Sequence, residues 1–245
     1  MTYHSFGGAW SPSSAGKLWA FAALSLLFAA LGRVVRGVTT SGALAGALVC
    51  FALLMGAGLG GFVTLLTVFL LTWVTTRIGY ARKQSLGTAE ANAGRGASQV
   101  FANLGVAALC AMLHVVLRDQ RFLSAMGAAL SEAAADTVSS EIGQAVGNVP
   151  RLITNWKPVP SGTDGAITVA GTLAGLGGAV VVSLTCALTG IFGWRSFDTC
   201  AVAGVTGMLA DSFLGATLER RGVLRNNAVN FLSTAIAALI ALLIS

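Results

Sequence analysis

Long apolar runs, separated by short polar segments, recur along this 245-residue chain and limit its fold more than any other feature. A helix needs about 20 mainly apolar residues to cross a bilayer, and most of these runs approach that length. Only 10% of the residues are charged, whereas a soluble domain carries about 25%. We therefore predict an all-α fold, a polytopic transmembrane helical bundle of about eight spans. The predicted spans cover residues 18–31, 42–58, 62–76, 98–117, 122–140, 167–192, 199–215 and 228–244, with a tight hairpin turn at Gly60-Gly61.

Basic residues are divided unequally between the two ends of this predicted bundle. Of the 15 Lys and Arg residues, 11 fall in loops at one end, called the basic end below, and 4 at the other. The 11 are Arg33, Arg36, Arg77, Arg82, Lys83, Arg95, Arg151, Lys157, Arg220, Arg221 and Arg225. Because cytoplasmic loops carry an excess of Lys and Arg, we expect this end to face the cytoplasm and both termini to be extracytoplasmic.

The apolar runs and the distribution of basic residues together predict the organisation of the chain. Residues 1–17 are interpreted as a short extracytoplasmic tail, and residues 18–245 as a single transmembrane helical domain. The protein is expected to be a multi-pass integral membrane protein, located in the cytoplasmic membrane if its source is prokaryotic.

Residues 133–143 place acids in small and apolar surroundings. An acid at membrane depth costs about 2.5–3.5 kcal/mol on insertion scales, so a metal ion, a basic partner or a polar cavity should compensate for it. On a helix, Glu132, Asp136 and Ser140 share one face because they are spaced by four residues. Glu141 falls on the far side and can join Asp136 only if the helix breaks or another helix approaches. The Ser-rich sequence after Asp136 favours such a break.

Other unusual polar residues also fall at the basic end. Arg95, Gln99 and Asn103 repeat every four residues at the start of the fourth span. Further clusters are the turn Gly162-Thr163-Asp164-Gly165, the group Asp211, Ser212 and Glu219, and the group Asn226, Asn227 and Asn230. Each cluster alone has a simple explanation, such as a helix cap, a turn or a hydrogen bond between helices. Their occurrence together at one end of the bundle predicts a polar site.

Phosphoryl transfer is the chemistry that suits such a set of residues. Carboxylates can hold Mg²⁺ beside a polyphosphate, and Arg and Lys neutralise phosphate oxygens. A glycine turn can present backbone N–H groups to phosphate. The sequence contains neither a P-loop nor the protein-kinase motifs, so a nucleotide site would be of another kind. A proton-coupled transporter remains the alternative, because buried acids also mark ion paths, although transporters more often place their site near the bilayer midplane.

Five motifs of the chain resemble those of the DUF92/TMEM19 family of integral membrane proteins. They are RGASQVFANLG at 95–105, ADTVSSEIG at 135–143, GTDGAITVAGTLAGLGG at 162–178, DSFLGATLE at 211–219 and NNAVNFL at 226–232. The family includes plant phytyl-phosphate kinases. The resemblance therefore implies transfer of a phosphate from a nucleoside triphosphate, CTP or ATP, to a phytyl or prenyl monophosphate. The alternatives are a prenol kinase, a cytidylyltransferase-like CTP enzyme and a non-enzymatic transporter of prenyl phosphate.

Roles are assigned to individual residues on this basis. The expected catalytic residues are Asp136, Asp164, Asp211 and Arg95. The expected Mg²⁺ ligands are Asp136, Glu141, Asp164, Asp211 and Glu219. The expected substrate and nucleotide contacts are Arg82, Lys83, Gln99, Asn103, Ser140, Gly162, Thr163, Gly165, Ser212, Arg220, Arg221, Asn226, Asn227 and Asn230. The expected partners are the membrane and an isoprenoid monophosphate lipid, and no nucleic acid is expected.

Overall fold

A computed structural model describes residues 14–90, 93–146 and 149–245 of the chain. The described α-helices are α1 (Ser14–Val34), α2 (Thr40–Arg77), α3 (Tyr80–Ser85), α4 (Ala97–Leu117), α5 (Arg121–Val146), α6 (Val169–Leu188), α7 (Arg195–Leu214) and α8 (Asn226–Ile244). A π-helical turn, Gly215–Glu219, extends α7, and two short antiparallel strands, β1 (Arg151–Leu152) and β2 (Ala166–Ile167), pair between α5 and α6. Residues 1–13 of the predicted tail lie outside the described residues, and residues 14–17 begin α1.

The predicted helical membrane bundle is confirmed. Six of the described helices are long and apolar enough to cross a membrane. One of them, α2, has 38 residues and reverses direction at Gly58, which has φ 59° and ψ −148°. The two arms of α2 together with the interior helix α5 bring the number of membrane-length segments to about eight.

The hairpin turn of α2 lies at Gly58 and not at the predicted Gly60-Gly61. A positive φ is readily adopted only by glycine, and Gly58 takes it. Gly61 has another reason to be glycine, since a Cβ there would lie 2.6 Å from the carbonyl oxygen of Leu53. Gly61 therefore allows the two arms to approach closely just after the turn.

Helix α5 is the centre of the bundle. It packs against α2, α4, α6, α7 and α8, and its residues 123–135 are all buried. Its neighbours approach closely through glycine: a Cβ on Gly175 of α6 would lie 2.7 Å from Ala135 O, and one on Gly204 of α7 would lie 2.7 Å from Ser131 Cβ. Protein rather than lipid surrounds α5, which explains how a less apolar helix can carry acids at membrane depth.

The predicted break in α5 does not occur. The helix continues without interruption from Arg121 to Val146, through both Asp136 and Glu141. These two acids therefore point to different sides of the helix, as their five-residue spacing requires. This separation decides which of them can belong to a common site.

Connections at the basic end are tied together by backbone hydrogen bonds. Thr39 N donates to Arg95 O at 3.0 Å, and Arg95 N donates to Gly37 O at 3.1 Å. These bonds join the α1–α2 connection to the segment that leads into α4. The end of α2 also meets the end of α1, since Trp73 Nε1 donates to Val35 O at 3.2 Å.

Candidate functional site

A polar cavity of about 250 Å³ opens at the basic end, between α5, α7, the π-helical turn and the loop that precedes α6. We call it the acidic cavity, because Asp136, Asp164, Asp211 and Glu219 all line it. Its wall also contains the predicted contact residues Ser140, Gly162, Thr163, Gly165, Ser212 and Asn226. The structure thus brings together residues from parts of the sequence that are up to about ninety positions apart.

Two packed helices supply the inner carboxylates of the acidic cavity. Asp136 lies on the face of α5 that also carries Ser139, Ser140 and Gly143. Asp211 lies near the end of α7, and its carboxylate accepts a hydrogen bond from the Ser233 hydroxyl of α8 at 3.1 Å. Helix α5 contacts both α7 and α8, so these inner acids are held by regular, buried elements.

The outer carboxylates come from less regular structure. Glu219 ends the π-helical turn, in which Arg220 N donates to Gly215 O at 3.2 Å. Single π-helical turns inserted in α-helices occur frequently at functional sites. Asp164 is exposed in a turn between Gly162 and Gly165, which have φ values of 83° and 73°.

Gly165 fastens this turn to the π-helical turn. A Cβ at Gly165 would lie 2.3 Å from the backbone nitrogen of Ala216. The carbonyl oxygen of Gly165 also accepts a hydrogen bond from Ile153 N at 3.1 Å, next to the β1–β2 pair. The position of Asp164 over the acidic cavity therefore depends on a close backbone contact that only glycine permits.

We expect Gly165→Ala to impair both the site and the fold around it. The substitution places a Cβ against Ala216 at a positive φ, so the turn must move away from the cavity. The melting temperature in detergent should fall by several degrees, and ligand-dependent stabilisation by Mg²⁺ with nucleotide should be lost.

Gly190→Ala is the matched control for this substitution. Gly190 has a similar φ of 74°, but a Cβ there meets no atom within 4 Å, and it lies at the opposite end of the bundle. Equal behaviour of the two variants would mean that backbone strain alone, and not the contact with Ala216, explains the effect.

The carboxylates of the acidic cavity have no salt-bridge partner among the described residues. Salt bridges among the described residues join Lys83 to Glu141, Arg95 to Glu90 and Arg121 to Asp119, and none of them reaches the four cavity carboxylates. A fifth acid, Glu132, lies one helical turn deeper than Asp136 on α5. It is 1% exposed, and its Oε1 has no hydrogen-bond partner among the described residues.

These donors fit a Mg²⁺ ion that a substrate helps to bind. Within the described residues, no three His, Cys, Asp or Glu side chains converge tightly enough to hold a metal ion by themselves. Mg²⁺ seldom requires such a cage, because it usually keeps several waters and binds through one or two carboxylates together with substrate phosphates. Asp136 and Asp211, which are half-buried on α5 and α7, are the candidates for that role, with Asp164 and Glu219 in the less regular wall of the cavity.

Glu141 and Lys83, the expected metal ligand and phosphate contact, do not line the acidic cavity and are paired with each other instead. The Lys83 ammonium is fully buried and forms a salt bridge with the Glu141 carboxylate. Lys83 Nζ also donates to Thr76 O at 2.7 Å, and Thr76 Oγ1 donates to Glu141 at 3.1 Å. Since both charges are satisfied by each other, Glu141 is not available to a metal ion and Lys83 is not available to a phosphate.

The other predicted substrate contacts do not line the acidic cavity. Arg82 is exposed and donates to the carbonyl oxygen of Gln144, a residue that lines the acidic cavity. Arg220 and Arg221 follow Glu219 but are exposed and line neither that cavity nor the second one described next. Asn227 is half-buried and lines neither cavity.

Arg95, Gln99 and Asn103 line a second cavity of about 360 Å³, between α1, α2 and α4. Arg95 Nη2 also donates at 3.4 Å to the hydroxyl of Thr137 on α5, which follows Asp136 of the acidic cavity directly. Asn230 Nδ2 donates to Asn103 Oδ1 at 3.4 Å and so links α8 to α4. Arg95 is therefore the predicted catalytic residue that stands between the two cavities.

Sequence reasoning did not assign Glu132, Arg36 or Arg77 to the site. Glu132 could have been assigned, because its spacing of four residues from Asp136 places both acids on one face of α5. Arg36 and Arg77 line the second cavity, but each was interpreted only as a topology signal. Their role depends on how α1 and α2 pack, which no local pattern reveals.

Comparison with known proteins adds to this geometry. The family model for the integral membrane protein DUF92 matches residues 23–238 of the chain. The chain belongs to the DUF92 family. All five motifs that indicated this family from the sequence lie within the matched range. Four of them supply residues of the acidic cavity, and the motif at 95–105 supplies residues of the second cavity.

Relatives of this DUF92 protein occur in archaea and plants. An uncharacterized membrane protein of Methanocaldococcus jannaschii is 35% identical over 210 residues, which cover 85% of this chain and 86% of the relative. Protein VTE6, chloroplastic, of Arabidopsis thaliana is 30% identical over 242 residues, which cover 94% of this chain and 73% of that protein. Protein PGR of the same plant is 30% identical over an alignment of 247 positions, which covers 81% of this chain and 85% of that protein. No solved structure matches the chain at a significant level.

Proposed function

We propose that this DUF92 protein is a membrane phosphotransferase that uses a nucleoside triphosphate, CTP or ATP, to convert an isoprenoid monophosphate into the diphosphate. The observation that carries the proposal is the acidic cavity, where carboxylates from three segments and a glycine turn meet. The family supports it, because the resemblance to DUF92 proteins implies phytyl-phosphate kinases among the plant members. VTE6 is a plant relative that matches 94% of the chain.

The acceptor in this reaction needs no activation by the protein. A phosphate monoester is already an anionic nucleophile, so the absence of a histidine among the described residues that line the acidic cavity is consistent with the chemistry. Catalysis of phosphoryl transfer rests on positioning and on neutralising charge. A Mg²⁺ ion bound by Asp136 and Asp211, with Asp164 or Glu219, would neutralise charge on the nucleotide phosphates.

Other side chains have tasks that follow from their positions. The hydroxyls of Ser140, Thr163 and Ser212 line the acidic cavity and can donate to phosphate oxygens. Arg95 lies between the two cavities, where its guanidinium can bridge the donor and acceptor phosphates. Since the transferred group passes between two phosphates, a charge at this junction stabilises the transition state.

We also propose that the basic end of the bundle faces the cytoplasm. The acidic cavity opens at the basic end, and the excess of basic residues favours the cytoplasm for that end. Cytosolic nucleotide would then enter the acidic cavity directly, while a lipid substrate arrives from the cytoplasmic leaflet. Both termini would be extracytoplasmic.

The test is an assay of purified protein in detergent with γ-phosphate-labelled ATP or CTP and farnesyl, geranylgeranyl or phytyl monophosphate. We expect prenyl diphosphate and nucleoside diphosphate in equal amounts, and loss of both products when Mg²⁺ is removed by chelation. Detergent leaves no two compartments, so transport cannot imitate this result.

The products also separate the alternatives. Phosphorylation of free prenols but not of their monophosphates would indicate a prenol kinase, and release of pyrophosphate from CTP would indicate a cytidylyltransferase-like reaction. The proposal is wrong if no triphosphate phosphorylates any of these lipids while prenyl phosphate crosses the bilayer of proteoliposomes. That outcome would establish a transporter.

A further inference from the structure

The second cavity has an apolar interior, unlike the acidic cavity. It is enclosed by α1, both arms of α2 and the start of α4, and Ala133 of α5 closes its inner side. Its volume of about 360 Å³ lies within the range of about 300–1,000 Å³ that is usual for small-molecule sites. Its apolar wall includes Phe28, Leu65, Val68, Phe69, Val100 and Leu104.

Arginines surround the opening of this cavity. Arg36, Arg77 and Arg95 line it together with a single acid, Glu90, which leaves an excess of positive charge. Arg77 is held in place, because its guanidinium lies 3.9 Å from the centroid of the Trp73 ring and donates to Val35 O at 2.8 Å. An apolar interior with fixed cations at its opening is complementary to an apolar chain that ends in an anion.

The second cavity approaches the acidic cavity through Arg95 and α5. Arg95 lines the second cavity and donates to Thr137, which follows Asp136 directly on α5. Ala133, on the inner wall, precedes Asp136 by one helical turn. An anionic group held by Arg95 would therefore be adjacent to the carboxylates of the acidic cavity.

Helix α1 is the outermost wall of the second cavity. It packs chiefly against α2, through edge-to-face contacts of Phe28 with Phe62 at 5.7 Å and with Phe69 at 5.5 Å between ring centroids. Most of its length is exposed to the surroundings of the bundle, including Leu26 at 61% and Leu31 at 55%. A lipid tail can thus enter from the bilayer without disturbing the central helices.

We propose that the second cavity binds the hydrocarbon tail of a lipid monophosphate, with its phosphate at Arg36, Arg77 and Arg95. The assignment of the lipid as isoprenoid rests on the proposed function. A phospholipid with a terminal phosphate monoester, such as phosphatidic acid, has the same chemistry, and the experiment below distinguishes the two sources.

Gly46 offers a way to fill this cavity without breaking the fold. It lies in the first arm of α2 and lines the cavity, and a Cβ there would meet no atom within 4 Å. Gly46 lies about 9 Å along the helix axis from Thr40, the first residue of α2. In Gly46→Phe the new ring would occupy the space of a long tail but not that of the shortest prenyl chain.

Gly177→Phe is the matched control. Gly177 is also a helical glycine whose Cβ would meet no atom within 4 Å, but it is exposed on α6 and lines neither cavity. Both substitutions add the same apolar ring to a membrane helix. A difference between the two variants therefore reports the second cavity alone.

The experiment is photo-crosslinking of purified protein with a diazirine-bearing geranylgeranyl monophosphate, with labelled peptides identified by mass spectrometry. We expect labelling of α1, α2 and α4, a decrease of about tenfold in Gly46→Phe, and wild-type labelling in Gly177→Phe. Geranylgeranyl monophosphate should compete with the label, and phosphatidic acid should compete at least about tenfold less well. Dimethylallyl monophosphate should compete equally in the wild type and in Gly46→Phe.

This experiment needs no turnover, so it is independent of the phosphotransferase proposal. Labelling of the cavity without any transfer of phosphate would support the tail site and contradict the proposed function. Labelling outside α1, α2 and α4, or equal labelling of Gly46→Phe and Gly177→Phe, would overturn the tail site. Equal competition by phosphatidic acid would overturn its assignment to an isoprenoid.

Discussion

Replacement of Asp211 by asparagine is expected to lower phosphate transfer by about a hundredfold or more, the loss typical of removing one electrostatic contact to a transition state. Asparagine keeps the shape of the side chain and can still pair with the Ser233 hydroxyl, which donates to Asp211 at 3.1 Å. It removes the negative charge that would hold Mg²⁺ beside the nucleotide. The measurement is the rate with saturating nucleotide and lipid monophosphate, together with the melting temperature in detergent.

Two further variants make this test specific. Asp136→Asn removes the facing carboxylate of α5 and should have a similar effect, since both acids line the acidic cavity. Asp198→Asn removes an exposed acid near the other end of α7 and should leave the rate unchanged. Near wild-type rates in both Asp136→Asn and Asp211→Asn would exclude the acidic cavity as the site of metal-dependent transfer.

Lys83→Met is expected to destabilise the protein strongly rather than to weaken substrate binding. It leaves the Glu141 carboxylate, whose side chain is only 12% exposed, without its partner, and breaking a largely buried ion pair in this way costs about 3–5 kcal/mol. Lys83 Nζ also donates to Thr75 O at 3.2 Å and Thr76 O at 2.7 Å, so the end of α2 loses its attachment to α3. Thermal unfolding in detergent measures the effect.

A double variant distinguishes charge burial from a phosphate contact. In Lys83→Met combined with Glu141→Leu no buried charge is left alone, so much of the lost stability should return. Lys17→Met removes an exposed lysine of α1 and should not change the melting temperature. If Lys83→Met instead retains wild-type stability and only raises KM, the original assignment of Lys83 to a phosphate is correct.

The fold and the acidic cavity follow largely from patterns that the sequence displays. Apolar runs are long-range signals of membrane helices, and counting spans decides which helix ends lie together. Asp136 ends one span and Asp211 ends another on the same side, so their proximity could be predicted without knowing any packing angle. The glycine turn around Asp164 enters the cavity for the same reason.

Side-chain partners were harder to predict, because they depend on which neighbour covers each face of a helix. Glu141 was known to lie on the far side of α5 from Asp136, but nothing in the sequence identifies Lys83 as the residue that meets it there. Arg220 and Arg221 follow a π-helical turn, which rotates the chain away from an ideal helix and leaves both residues exposed. The hairpin turn had several neighbouring glycines to choose from, and only the backbone conformation identifies Gly58.

The second cavity could not be predicted at all from local patterns. Its walls come from residues of α1, α2 and α4 that are spread from Phe28 to Leu104, and its apolar residues resemble those of any membrane span. Arg36 and Arg77 were recognised only as indicators of topology, and Arg95 only as a catalytic candidate. A cavity arises from the way helices fail to fill the space between them, and hydropathy does not encode that property.

The enclosure of α5 by its neighbours has a consequence for how the chain is made. Three of the five helices that surround it, α6, α7 and α8, are synthesised after it. When α5 leaves the ribosome, Glu132 and Asp136 therefore have only part of their protein environment, and lipid is a poor substitute for the rest. We expect α5 to be retained at the insertion machinery, or at the membrane surface, until the later helices arrive, so that the bundle closes around its central helix last.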